Sequence, residues 1–350
     1  GVYVGAAPYL MFIPDRDGDD KPDVPADSRI LPDVAFPKDV PPGAVVLRDG
    51  FGWHDTHETL NAFIWGPDGW LYGCHGVFTH SKVGKPGAAD EDRLPLNASV
   101  WRYHPTKDIF EAFMNGTSNP WGVDFNDKGQ AFLTACVIPH LWHVIQGGRY
   151  HRQGGQHFNP YTYDDIKTIA DHQHYAGNLA DSAWWGHEPR AAGATLDAGG
   201  GHAHAGAMIY LGDNWPDEYR NRIYFNNVHG NRVNCDILER EEGSGYVGHH
   251  GKDLVLANDH YFRGINLRYG PDGSVYLIDW YDKNACHRTN PEIWDRSNGR
   301  IYRISYGDVK TPAFMVDAWT TEKIVEAHLH KNEWYSKTLR TGLMQNGRTK

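Results

Sequence analysis

The chain has 350 residues, 40% hydrophobic, 22% charged and 13% aromatic, which is enough apolar mass for one large all-β domain or two ordinary ones. A formal net charge of −10 and a pI near 6.1 argue against a nucleic-acid partner, which normally needs a basic face. No apolar run approaches the roughly 18 residues of a membrane-spanning helix, and 39 glycines with 20 prolines point to many turns.

Gly1-Val2-Tyr3-Val4-Gly5 already reads as the middle of a strand, so a processed or truncated start is expected, with any export signal outside this sequence. A second strand follows at Leu10-Met11-Phe12-Ile13-Pro14. Behind it, Asp15, Asp17, Asp19 and Asp23 stand at the spacing of the first part of a calcium loop, an expected structural site. Ala26 occupies the place where an EF-hand needs its closing Glu, and a solvated acidic turn is the alternative.

The next segment, Trp53 to Asn61, carries His54, Asp55, His57, Glu58 and Asn61 just ahead of the turn Gly66-Pro67-Asp68-Gly69. That turn and the strand after it, Trp70-Leu71-Tyr72-Gly73, are nearly copied at Gly270-Pro271-Asp272-Gly273-Ser274-Val275-Tyr276-Leu277. Asn126-Asp127-Lys128-Gly129 opens a looser third copy. Each copy is a tight turn feeding an alternating apolar strand, the signal of a hairpin. Asn221 to Asn226 fills the same slot, and partner strands are expected at Val100–Tyr103, Leu141–Ile145, Arg232–Leu238 and Gly299–Ile304.

Between these units lie long connections, where function usually resides on a repeated scaffold. They carry Asn119 and Trp121, His157, the pair His202 and His204 inside a glycine-rich run, Arg263 and Trp280. The glycines let the backbone bend sharply, and His202 and His204 are expected to project from one side of an extended segment. A neutral imidazole takes a proton from a hydroxyl or ligates a metal. Trp121 and Trp280 offer faces on which a sugar ring stacks; packing between repeats is their alternative use.

Cys74, Cys136, Cys235 and Cys286 have no C-x-x-C spacing, which excludes a zinc ribbon and a haem attachment motif in this chain. Cys74 and Cys136 follow consecutive turns, so a disulfide and two buried thiols are both open. From Thr320 onward Ile324, Val325, Ala327, Trp334, Leu339 and Leu343 recur at helical spacing behind a Thr cap.

Five repeats and a start inside a strand predict an all-β fold: a six-bladed β-propeller with an incomplete N-terminal blade and a short C-terminal helical extension. The propeller is expected over residues 1–312. The extension, the possible opening of a helical-repeat region, is expected over 313–350. A β-sandwich is the alternative.

These segments resemble the glucose/sorbosone dehydrogenase-type propellers. More closely, they are similar to the "membrane-bound dehydrogenase" propeller domain of large exported planctomycete and verrucomicrobial proteins. The resemblance covers nearly the whole chain. It runs through Asp15–Asp23, Asp55-Thr56-His57 to Tyr72, Asn119-Pro120-Trp121-Gly122, Gly201 to Met208, Asn227 to Arg232 and Phe262 to Leu267.

The resemblance implies a periplasmic or extracellular protein and a c-type haem acceptor domain outside this chain. It also implies pyrroloquinoline quinone and calcium at the channel mouth. There His57, or Glu58 beside it, would remove a sugar hydroxyl proton, and Arg263 would orient cofactor or substrate. Ser118 stands where those enzymes have an Arg before the Asn-Pro pair.

Three functions follow as expectations. The first is an exported sugar or polyol oxidoreductase with His57, Glu58 and Arg263 catalytic, and Asn61, Asn119, Trp121, His157, His202, His204 and Trp280 binding substrate or cofactor. The second is a metal-dependent hydrolase, lactonase or lyase with a divalent transition metal at the His cluster. The third is a non-catalytic carbohydrate-binding or scaffold propeller.

Overall fold

The computed structural model describes residues 1–23, 40–41, 43–57, 59–136, 139–158, 164–177, 193–243, 245–285, 295, 297–312 and 319–345. Short strands dominate. The first sheet is β1 (Val2–Ala6), β2 (Tyr9–Ile13) and β3 (Val45–Arg48). The second begins with β4 (Leu60–Trp65) and β5 (Leu71–His75). After a ribbon of β6 (Ser81–Val83) and β7 (Leu94–Leu96), it continues with β8 (Ser99–His104) and β9 (Ile109–Thr117).

The third sheet is β10 (Pro120–Phe125), β11 (Ala131–Ala135) and β12 (Leu141–Val144). The chain then returns as β13 (Arg149–Arg152) to pair parallel with β9 on the outer edge of the second. A long connection containing helix α1 (Gly193–Asp197) leads to the fourth sheet, β14 (His204–Ile209), β15 (Arg222–Asn227), β16 (Arg232–Arg240) and β17 (Tyr246–His250), with β18 (Val255–Leu256) also on β16. The fifth is β19 (Gly264–Tyr269), β20 (Val275–Asp279) and β21 (Arg300–Ile304).

Within each blade the strands pair in chain order, so the first strand is innermost. Blades then pack through those inner strands: β10 on β4 and β5, β14 on β10 and β11, β19 on β14 and β15. Apolar faces fill the seams. Phe132, Leu141, Met208, Ile209, Phe225 and Leu267 form one buried cluster across blades three to five. This is the all-β propeller with a short helical end expected from the sequence, and five blade sheets stand among the described residues.

The repeat is chemical as well as geometric. Gly66 N–H donates to Trp70 O and Gly270 N–H donates to Ser274 O, each 2.9 Å, closing matching turns. In both, the turn Asp accepts from a Tyr two positions into the next strand: Asp68 Oδ2 from Tyr72 at 2.7 Å, Asp272 Oδ2 from Tyr276 at 3.2 Å. An Arg on the third strand completes each triad, Arg102 to Asp68 and Arg303 to Asp272.

Four inner strands also break register at corresponding places: Asn61/Ile64, Pro120/Val123, Ala205/Met208 and Gly264/Asn266. Such bulges bend a strand and re-aim its side chains. At Gly122 the bulge requires glycine: φ is +142°, and a Cβ would lie 2.3 Å from Ala207 N. Gly122→Ala is expected to cost about 1–3 kcal/mol or more, read as a lowered urea midpoint with an unchanged slope.

Cys74 is a buried free thiol on β5 in the core of blades two and three, so the Cys74–Cys136 bond is not formed. The neighbouring His75 is fully buried; its Nδ1–H donates to Gly76 O at 3.0 Å and its Nε2 accepts from Ser81 Oγ at 2.7 Å. Burial pushes its pKa down to about 4, against the weaker pull of the Gly76 carbonyl. The unfolded chain therefore binds this proton first as pH falls. Stability present above about pH 6.5 is expected to be lost progressively toward pH 4, and a thermal-melt series should show a shallower decline in His75→Gln.

The tail forms α2 (Thr321–Ala327), capped by Thr320 Oγ1 accepting from Lys323 N, and α3 (Glu333–Gln345). These helices lie across the turn end of the blades. Asn332 donates to Gly270 O, Tyr335 to Pro271 O, and Arg340 to Pro67 O. Trp334, Lys337 and Thr341 thereby cover a cavity of about 350 Å³ lined from above by Phe63, Asp124 and Arg268. Asn332 and α3 thus dock the extension on the turns at Pro67 and Gly270.

Candidate functional site

At the opposite end, the segments entering the inner strands and those joining each second strand to its third meet in one hydrogen-bonded rim. Asn119 Oδ1 accepts from Val77 N at 2.7 Å, and Asn61 Nδ2 donates to Pro120 O at 3.2 Å. Cys136 N donates to Asn119 O, Ala203 N to Cys136 O, and Val228 N to Ala203 O. Arg263 Nη1 donates to Val228 O at 3.1 Å, its Nη2 to Lys283 O at 3.2 Å, and Trp280 N donates to Arg263 O. Asn61, Asn119, Arg263 and Trp280, taken from four separate sequence segments, thus share one mouth. Trp121 and Trp280 pack there on Ala203, Ala205 and Val228.

His57 stands on the connection into β4. Its Nδ1–H donates to Asp55 Oδ1 at 2.8 Å, with the imidazole 34% exposed. Thr79 Oγ1 holds the Asp55 carbonyl at 2.8 Å. The pair is an imidazole oriented by a carboxylate, the arrangement found where a histidine serves as a general base. Glu58, the other expected base, lies outside the described residues.

His202 and His204 take different directions. Ala203 between them sits at φ +70°, which breaks the extended geometry expected from the sequence. The His202 ring stacks on His229 at 4.5 Å, whereas His204 turns into the blade three/four seam. His157 stands off the rim, 3.3 Å from Asp165 Oδ2, which Arg149 also holds.

The seam contains residues that the sequence reading passed over. His140 precedes β12, His172 and His174 lie on the β13–α1 connection, and Asp236 is in the middle of β16. One ligand-type atom from each lies within 4.8 Å of all the others. His140 Nε2 is 2.8 Å from Asp236 Oδ2, His172 Nε2 is 3.3 Å and His174 Nε2 is 3.8 Å from Asp236 Oδ1. Burial alone would raise the Asp236 carboxyl, but the His140 charge and hydrogen bond, with His172 beside it, hold it down to about 2. Burial, reinforced by the neighbouring imidazoles, drives His174 and His204 well below the ordinary histidine value. The signals in the sequence were a second His-x-His, at His172 and His174, and an Asp at an inward position of an apolar strand.

A quinone with three carboxylates needs several cations turned toward it. Arg263 is fully buried and directs its guanidinium to backbone carbonyls, and Arg232 pairs with Asp253 at 2.7 Å. Among the described residues, the mouth does not fit pyrroloquinoline quinone. The acidic loop is partly assembled: Asp15, Asp17 and Asp19 group together, while Asp23 Oδ2 accepts from Arg16 N at 2.7 Å. The loop follows β2, the middle strand of its sheet.

No curated protein matches the chain in sequence. Among solved structures it is similar to an oxidoreductase (glucose dehydrogenase) from Thermus thermophilus, at 17% identity and a TM-score of 0.45, over 74% of this chain and 68% of that one. The PQQ-bound form of aldose sugar dehydrogenase from Streptomyces coelicolor gives 14% identity and a TM-score of 0.43, over 77% and 70%. A structure described as a gluconolactonase gives 13% and 0.32, over 67% and 59%. The model of the family described as domain of unknown function (DUF7133) matches residues 43–308, most of the chain, and the chain belongs to that family.

Proposed function

We propose that this propeller is an exported, periplasmic or extracellular oxidoreductase acting on a hydroxyl of a sugar or polyol at the rim described above. The observation that carries this reading is the His57–Asp55 pair, an oriented imidazole at the mouth. His57 Nε2 takes the hydroxyl proton. The carbon-bound hydrogen leaves with its bonding electron pair, as hydride, for a dissociable two-electron acceptor of soluble quinone class, from which a haem domain would draw the electrons one at a time, and the alcohol becomes a carbonyl. Trp121 and Trp280 supply apolar faces for a sugar ring, and Arg263 acts by tying the rim together. The planctomycete-type exported proteins with a haem domain supply the larger context in which such an acceptor is at hand. Calcium belongs in this proposal at Asp15, Asp17 and Asp19, as a structural ion.

The test is dye-linked oxidation of a panel of aldoses and polyols by the purified chain. Turnover without added pyrroloquinoline quinone is expected. No turnover on any member, with or without that quinone and calcium, would overturn the reading. A metal-dependent hydrolase, lactonase or lyase is the second reading, favoured by the His140, His172, His174 and Asp236 group. Lactone or glycoside hydrolysis abolished by a chelator would establish it in place of the first.

A further inference from the structure

We infer that His140, His172, His174 and Asp236 bind one divalent transition cation of zinc type, which staples blade three, blade four and the β13–α1 connection together. This goes beyond the proposed oxidation chemistry and does not depend on it.

The ligand-type atoms of these residues crowd together in the seam. Asp171 Oδ1 accepts from His172 Nδ1 at 3.0 Å, which leaves His172 Nε2 as the unprotonated nitrogen. That atom faces His174 Nε2 at 3.1 Å. The other nitrogen of His174, Nδ1, is 2.9 Å from His204 Nε2. When it donates there, two lone pairs oppose each other across the 3.1 Å gap. Asp236 Oδ1 is buried beside them and makes no hydrogen bond. In that tautomer three acceptor atoms lie together out of water, an arrangement that a cation among them satisfies.

The dimensions agree. Zinc–nitrogen and zinc–oxygen bonds of about 2.0–2.1 Å give a tetrahedron with edges of about 3.3 Å. His172 Nε2, His174 Nε2 and Asp236 Oδ1 are separated by 3.1, 3.3 and 3.8 Å, and His140 Nε2 lies 2.8 Å from the other carboxylate oxygen, Asp236 Oδ2. Three imidazoles and one carboxylate suit zinc and its neighbours and are poor donors for calcium.

The surroundings are those of a metal centre. A carboxylate behind His172 and an imidazole behind His174 fix ring orientation from the second layer. His140, His174 and Asp236 are essentially inaccessible, and the His172 side chain is 16% exposed. His250 stacks on the His172 ring at 5.1 Å with its own side chain 29% exposed, which marks the approach from solvent. Four protein ligands close the site, the pattern of a structural centre. Its ligands come from three elements that backbone hydrogen bonds already join, Ile169 N to Leu141 O and Asp171 N to Gly248 O among them.

The competing arrangement is a doubly protonated His172 sharing its proton with His174 and Asp236, with no metal. Titration of chelator-treated full chain with Co²⁺ separates the two. Binding at one ion per chain, an intense tetrahedral visible spectrum, its displacement by Zn²⁺ and a raised melting temperature are expected. His174→Ala and, independently, Asp236→Asn should abolish the one-to-one binding. Asp171→Asn should weaken it by about 10–100-fold, and His57→Ala should leave it unchanged. The wild-type spectrum decides the matter even if a ligand variant fails to fold. A weak octahedral spectrum, or no binding, would overturn the inference, as would unchanged one-to-one binding in folded His174→Ala.

Discussion

His57→Ala is expected to lower kcat/KM for hydroxyl oxidation by about 10²–10⁴-fold, the usual contribution of a positioned base. Nearly all of that loss should fall on kcat, because the imidazole meets the proton only as the O–H bond breaks. Asp55 reaches the chemistry through His57, accepting its Nδ1–H at 2.8 Å, and is a positioning residue. Asp55→Asn should therefore lower kcat with KM little changed, while the folded signal and melting temperature stay near those of the parent. His57 is one-third exposed and its removal opens no core cavity, so a lost rate cannot be traced to unfolding. A His57→Ala rate within a few-fold of the parent would remove the residue from the mechanism.

Lys337→Ala is expected to destabilise the chain by about 3–5 kcal/mol, the cost of leaving one charge of a buried pair alone. Lys337 Nζ lies 3.3 Å from Asp124 Oδ1, with the two side chains 16% and 1% exposed. Burial alone would make the ammonium easier to deprotonate, but Asp124 and Tyr269 raise it and keep it charged. Asp124 also accepts from Phe125 N and Ile209 N, each at 2.8 Å, so the lower end of the range is the better guide. The pair joins α3 to two inner strands. Its loss should free the helix, expose Trp334 to quenchers and lower the urea midpoint. Lys337→Met, which keeps the stem, should recover part of the packing and none of the charge pairing. A change below about 1 kcal/mol, as for an exposed ion pair, would show that the helix is only loosely applied.

Much of the architecture was legible because it repeats. The Gly66 and Gly270 turns announce themselves by near-identical residues, and the structure gives both the same Asp–Tyr–Arg triad. The helical tail was readable from Thr320 and the spacing of Ile324, Leu339 and Leu343, though nothing in that spacing said the helices would dock on the turn end. The rim was legible in outline, since Asn119, Arg263 and Trp280 each stand next to a strand and Asn61 stands at the start of one.

The seam was not legible for a physical reason. His140, His172, His174 and Asp236 come from three elements nearly one hundred residues apart, and only blade packing brings them together. Asp236 in particular looks like one polar residue in an alternating strand; its inward face becomes evident only when β16 is paired with β15 and β17. His202 and His204 misled in the opposite direction. Their spacing implied one shared site, but the left-handed backbone at Ala203 sends them into separate environments.

Anomalous diffraction at the zinc edge, from crystals grown with one equivalent of zinc, would locate the metal centre without recourse to any variant. A single dominant peak is expected between His140 Nε2, His172 Nε2, His174 Nε2 and Asp236, with ligand distances of about 2.0–2.2 Å. A crystal with no peak there, or with its dominant peak at Asp15, Asp17 and Asp19, would refute the centre.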